Sequence, residues 1–179
     1  MAPLATLGQI ADRAVELGIV APAAVASLAD IRDEQLSFYS DDNAMALVDL
    51  MEELGVGVRI DPKVDSLLGG YRELFERSAA CTGGAVTITD VELLDGDDGE
   101  RIRMLVNGRE FGWDVEFGSG RYLDVMTVHE IYHDLLPDGD ADPRVFINLS
   151  DEAYEQSGYV FADPVAFSIL AEELQIKVD

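Results

Sequence analysis

His129-Glu130-Ile131-Tyr132-His133 is the one short run in this 179-residue chain whose residue types and spacing could do chemistry. On a helix, residues four apart lie on one face. His129 and His133 could therefore share a Zn²⁺ while Glu130 acts as general base on the metal-bound water. Such a site needs a third protein ligand, and Glu152 and Glu155 downstream are the candidates. The same residues also suit an ordinary amphipathic helix. Val128, Ile131, Tyr132 and Leu135 make its apolar stripe, and the histidines sit on the flank.

The run resembles the HExxH of zincin metalloproteases over five residues and no further. That resemblance implies a zinc-dependent hydrolase with His129, His133 and Glu152 as ligands and Glu130 as catalytic base. Asp134 departs from the zincin pattern, which usually carries an uncharged residue there.

Acidic clusters are the other candidates. Asp138, Asp140 and Asp142 alternate as the first three carboxylates of an EF-hand loop do. The sixth position is Pro143 instead of glycine and the twelfth is Leu149 instead of glutamate, so a solvated acidic turn is the simpler reading. Asp95, Asp97, Asp98 and Glu100 form a second acidic turn, and Asp151, Glu152 and Glu155 a third group. No phosphate-cradling glycine loop, nucleophile elbow or basic-aromatic patch is present.

These clusters belong to a larger imbalance. The chain has 36 Asp and Glu against 12 Lys and Arg, a net charge of -24. A charge of that size repels nucleic acid and anionic membranes and attracts basic proteins and cations. A salt-adapted organism would produce it too, since only Lys63 and Lys177 are lysines. Cys81 is the only cysteine, which excludes an internal disulfide and suits a reducing cytoplasm. Its expected place is the core. No apolar run reaches the roughly 18 residues of a membrane helix, and the first residues lack the pattern of a signal peptide.

At 48% hydrophobic the chain can bury one sizeable core, and a single domain is expected over 1–179. Helical spacing appears at Leu7, Ile10, Ala14 and Leu17 before Gly18, after Pro22, and from Asp42 to Gly55. Val56, Val58 and Ile60 alternate as a strand. Asp61-Pro62 reads as a cap and first residue of a helix carrying Val64, Leu67, Leu68, Tyr71 and Phe75. From Val86 the period falls to two. The apolar phase slips between Ile88 and Val91, predicting a bulge near Asp90. Asn107-Gly108 predicts a type I′ hairpin between the strand of Ile102 to Val106 and that of Phe111 to Phe117. Trp113 is expected in the core. A helix follows over about 122–136, then strands at Val145 to Leu149 and Tyr159 to Phe161, and a C-terminal helix with Phe167, Leu170 and Leu174. The fold class is α+β: N-terminal helices over about 1–80, then an antiparallel sheet of about five strands over 84–179 with an inserted helix and a C-terminal helix. A weak boundary falls near Ala80 to Gly84.

Arg59-Ile60-Asp61-Pro62, Val86 to Leu94, Val106-Asn107-Gly108 with Trp113, Tyr122-Leu123-Asp124, Arg144-Val145-Phe146 and Tyr159-Val160-Phe161 together carry a further likeness. Over about 45–175 the chain loosely resembles small acidic bacterial immunity proteins of polymorphic toxin systems and uncharacterised actinobacterial proteins. That resemblance implies a cytoplasmic, non-enzymatic protein that neutralises a basic partner such as a toxin, with no cofactor and no HExxH metal. The contact groups expected are Asp95, Asp97, Asp98, Glu100, Asp138, Asp140, Asp142, Asp151, Glu152 and Glu155. A DNA-mimicking inhibitor of a nucleic-acid enzyme is the third reading.

Overall fold

The structure, a computed structural model, describes residues 5–96, 99–116, 120–151 and 156–178. The chain forms two compact units, one of residues 1–59 with 143–179 and one of residues 60–142. The composition change near Ala80 to Gly84 lies inside the second unit.

In the first unit, α1 (Leu7–Glu16) begins with a capping box: the Thr6 hydroxyl accepts from the Gln9 N–H, and the Gln9 side chain accepts from the Thr6 N–H. Caps of this type are worth about 1 kcal/mol each. The expected second helix is a 3₁₀ segment, Pro22–Leu28. Pro22 opens it as foreseen, but Ala21 offers no capping side chain, and the bonds run from Ala24 to Ala21 and Ala29 to Ala26. A second short 3₁₀ turn spans Leu36–Phe38. Asp42 caps α2 (Asn43–Glu53) by accepting from Met45 N–H at 2.8 Å.

A three-stranded sheet covers this layer in the order β1 (Gly57–Ile60), β6 (Gln156–Ala162), β5 (Val145–Asp151). Phe161 N–H donates to Val56 at one end, and Arg59 reaches Gln156 at the other. β1 and β6 are therefore antiparallel, as are β5 and β6. Ile147, Leu149, Val160 and Ala162 face a core made by α1, α2 and α5 (Pro164–Glu173), with Leu7, Ile10, Leu47, Leu50 and Phe167 fully buried.

In the second unit, α3 (Leu67–Cys81) packs on β2 (Ile88–Gly96), which pairs with β3 (Gly99–Val106) and through it with β4 (Arg109–Val115). α4 (Val125–Asp134) packs on β4. The register slips between Thr89 and Glu92, and Asp90 takes φ 53°, so the bulge stands where the apolar phase put it. Asn107 and Gly108 have φ 51° and 76°, the two positive values a type I′ turn requires. Ile102, Met104 and Val106 form the buried face of β3, and Cys81 is buried.

Several expectations are corrected. The fold is α+β, but its six described strands form two three-stranded sheets instead of one of about five. Alternation within a strand identifies its buried face and says nothing about its partner. β1 accordingly pairs with β6, about a hundred residues on. The helix expected at Asp61-Pro62 starts only at Leu67, capped by Ser66. Residues 62–64 stay extended because they pair with 121–123: Val64 N–H donates to Arg121 at 2.9 Å and Leu123 N–H to Pro62 at 2.8 Å. Trp113 is half-buried. It stacks on Phe111 at 5.8 Å and spends its indole N–H on Asp134 at 2.9 Å, the usual need of a buried tryptophan edge.

Candidate functional site

α4 presents the histidine pair. Its start is fixed by Asp124, only 3% exposed, whose carboxylate accepts from the N–H groups of Met126 and Thr127, the hydroxyl of Thr127 and the N–H of Glu116. Tyr71 on α3 accepts from Asp124 N–H at 3.1 Å. Burial raises the Tyr71 phenol above its ordinary pKa, so it stays a neutral hydroxyl. Thr127, Val128, Ile131 and Tyr132 turn inward, and the Tyr132 and Ser78 hydroxyls meet at 2.6 Å in the core.

That inward face decides where the HEIYH side chains go. His129 is half-buried on the flank, while Glu130 and His133 are exposed. Burial lowers the His129 pKa below the ordinary 6.5, and nearby His133 lowers it further. His129 is thus neutral at pH 7, the state in which imidazole accepts a proton or binds a metal. Continuous helix over 125–134 puts both histidines on one side, as the spacing requires. Among the described residues, no group of three His, Cys, Asp or Glu is placed to hold a metal ion. Glu152 and Glu155, the expected third ligands, lie outside the described residues. Asp134, which breaks the zincin pattern, accepts the Trp113 indole N–H and ties the end of α4 to β4.

The acidic clusters divide differently. Asp95 and Glu100 pair across β2 and β3 next to the Gly96–Gly99 pair. Asp95 is exposed, whereas Glu100 is half-buried on the side of Ile102 and close enough to Tyr71 to raise its pKa. Asp97 and Asp98 lie outside the described residues, as do Glu152, Glu155 and the side chain of Asp151. Asp138 and Asp140 are exposed and Asp142 is half-buried. Asp138 stands 3.8 Å from Arg109, which follows the β3–β4 turn. The two acidic turns therefore mark opposite ends of β3, which at about 3.3 Å per residue puts them roughly 20 Å apart. On the sheet face between them, Arg103 is held between Glu92 and Glu110, and Arg101 lies beside Asp114. Two arginines on that face are thus set among three carboxylates, while Asp95 at one end and Asp140 at the other are exposed.

Two organising residues escaped the sequence reading. Asp124 precedes the apolar run of α4 with Thr127 three residues on, a capping signal that could have been read. The Asn-Gly pattern marks Asn107 only as a turn residue. Its Oδ1 accepts from Thr87 N–H at 2.8 Å, and its Nδ2 donates to the Leu136 carbonyl at 2.9 Å. It joins β2, the hairpin and the end of α4, which no local pattern reveals.

No protein-family model, curated protein or solved structure matches the chain.

Proposed function

We propose that the protein is a non-enzymatic, cytoplasmic acidic binding protein that docks on a basic protein partner, in the manner of an immunity or inhibitor protein. The observation that carries this reading is an uncompensated charge of -24. Six arginines are already committed to internal ion pairs, those of Arg13, Arg32, Arg59, Arg101, Arg103 and Arg109. Carboxylates still outnumber cations by 24, so the net field of the molecule is negative. That field would steer a basic partner to encounter and raise its association rate, while a few desolvated contacts would hold it. No helix among the described residues is long and apolar enough to cross a membrane.

Asp95, Asp138 and Asp140 are the exposed carboxylates of the proposed contact surface. A typical interface buries about 800 Å² per partner, wide enough to touch both ends of β3. Once the partner is in hand, the test is its association rate. Charge reversal at Asp95, Asp138 and Asp140 should slow association by about tenfold or more at low salt, with dissociation little changed. Unchanged association would overturn the reading.

The zinc-hydrolase reading is kept by one observation, the helical continuity that puts His129 and His133 on one side of α4. One zinc per chain, lost in His133→Ala, would replace the binding reading with it.

A further inference from the structure

A cleft at the start of α3 departs from the charge of the rest of the molecule. It has a volume of about 490 Å³ and is lined by Lys63, Arg77 and Arg121, a quarter of all the basic residues in the chain. Of the nine other cations, six arginines stand in ion pairs, Arg72 donates to the Val91 carbonyl, Arg144 lies over the Phe161 ring, and Lys177 is exposed near the end of the described residues. The side chains of Lys63 and Arg121 make no ion pair among the described residues, although Asp61, Asp65 and Glu73 line the same cleft. Asp61 is turned to its own loop, accepting from Lys63 N–H at 3.0 Å. With 36 carboxylates in the chain, two exposed cations left unneutralised in one concavity are a specific arrangement.

Backbone geometry builds the wall. The extended pairing of 62–64 with 121–123 brings Lys63 and Arg121 to the cleft from distant parts of the sequence. The first turn of α3 completes it with Ser66, Gly69 and Gly70. Glycine costs roughly 1 kcal/mol relative to alanine inside a helix. Here a Cβ on Gly70 would stand 2.5 Å from Val64 Cγ1, and one on Gly69 2.6 Å from the Ser66 hydroxyl. The Gly69 and Gly70 N–H groups are taken by the Ser66 hydroxyl and carbonyl at 3.2 and 2.9 Å, so the glycines serve close packing in the cleft wall and the charged contacts to a ligand fall to Lys63 and Arg121.

We infer that this cleft binds a small polar metabolite through a phosphate or carboxylate group, with Lys63 and Arg121 as the charged contacts and the first turn of α3 beside them. Asp65 and Glu73 supply acceptors for hydroxyl or amino groups on the same ligand. The cleft shares no residue with the proposed partner surface, and the inference does not rest on that reading.

The experiment is an amide NMR titration of the whole chain with inorganic phosphate, a hexose phosphate and malate. An ionic strength of about 0.15 M, where the Debye length is about 8 Å, screens the distant carboxylates. Titration to about 10 mM detects any Kd near or below about 1 mM. Saturable shifts confined to Ser66, Gly69, Gly70 and Leu123 are expected, and the probe that binds tightest tells phosphate from carboxylate. Lys63→Gln and Arg121→Gln, each at an exposed side chain, should weaken binding about tenfold, the loss of one charge-assisted hydrogen bond. Lys63→Arg should retain it. No saturable shift with any probe, or equal binding by wild type and both glutamine variants, would overturn the inference.

Discussion

Asp124 shows what one buried carboxylate can organise. It caps α4, holds Glu116 after β4 and bonds the Thr127 hydroxyl, all at a nearly inaccessible position. Replacing it with alanine removes a cap and orphans several buried donors, so a loss of about 2–4 kcal/mol is expected in chemical denaturation. Asp163→Ala, which removes a less buried cap from α5, should cost only about 1 kcal/mol. Equal losses would show that Asp124 is merely a cap. His129 makes a second prediction at this scale. Its folded pKa lies below the unfolded 6.5, so the unfolded chain takes up its proton first as pH falls. Its contribution to stability is therefore full above pH 6.5 and is lost as pH falls through that value toward the folded pKa. His129→Gln should gain stability relative to wild type as urea midpoints are followed from pH 7.5 to about 5.5. Parallel curves for the two proteins would contradict the assignment.

At the scale of elements, Asn107 is the test. It supplies the positive φ of the β3–β4 turn and bonds both Thr87 and Leu136. Asn107→Ala should cost about 2–3 kcal/mol, while Asn107→Asp, which keeps the acceptor for Thr87, should cost about 1 kcal/mol less. Matching unfolding free energies for the two variants would show that only the turn conformation matters. The same element shows how much was legible in the sequence. The I′ turn could be read because positive φ at two adjacent residues is a local demand that Asn-Gly meets. The bulge at Asp90 could be read because a slipped alternation forces one extra residue. By contrast, Asp61-Pro62 carries good helix-start chemistry and still does not begin α3. Pairing with residues 121–123 holds 62–64 extended, and a partner some sixty residues away leaves no trace in the local pattern. The same pairing joins Lys63 to Arg121, so the cleft was hidden for the same reason. The HEIYH spacing was legible and is confirmed as helical geometry. What the two histidines do is not written in that spacing, because a third ligand must come from elsewhere in the fold.

At the scale of the whole molecule, charge dominates. A net charge of -24 destabilises the compact state by self-repulsion, and salt screens it. The melting temperature should rise as sodium chloride increases from about 0.01 M to about 1 M, where the Debye length shrinks from about 30 Å to about 3 Å. A fall would mean that the internal ion pairs of Arg13, Arg59 and Arg103 outweigh the repulsion. The same field is the basis of the proposed function, and affinity capture from an extract of the source organism tests it most directly. Wild type and the variant Asp95→Asn/Asp138→Asn/Asp140→Asn would be compared side by side, with elution at about 1 M salt. The account predicts one stoichiometric partner with a basic face and a pI above about 9, retained by wild type, weakened in the variant and released by salt. An equally retained partner in both, or a wild-type protein that captures no basic partner and carries one zinc per chain, would contradict it.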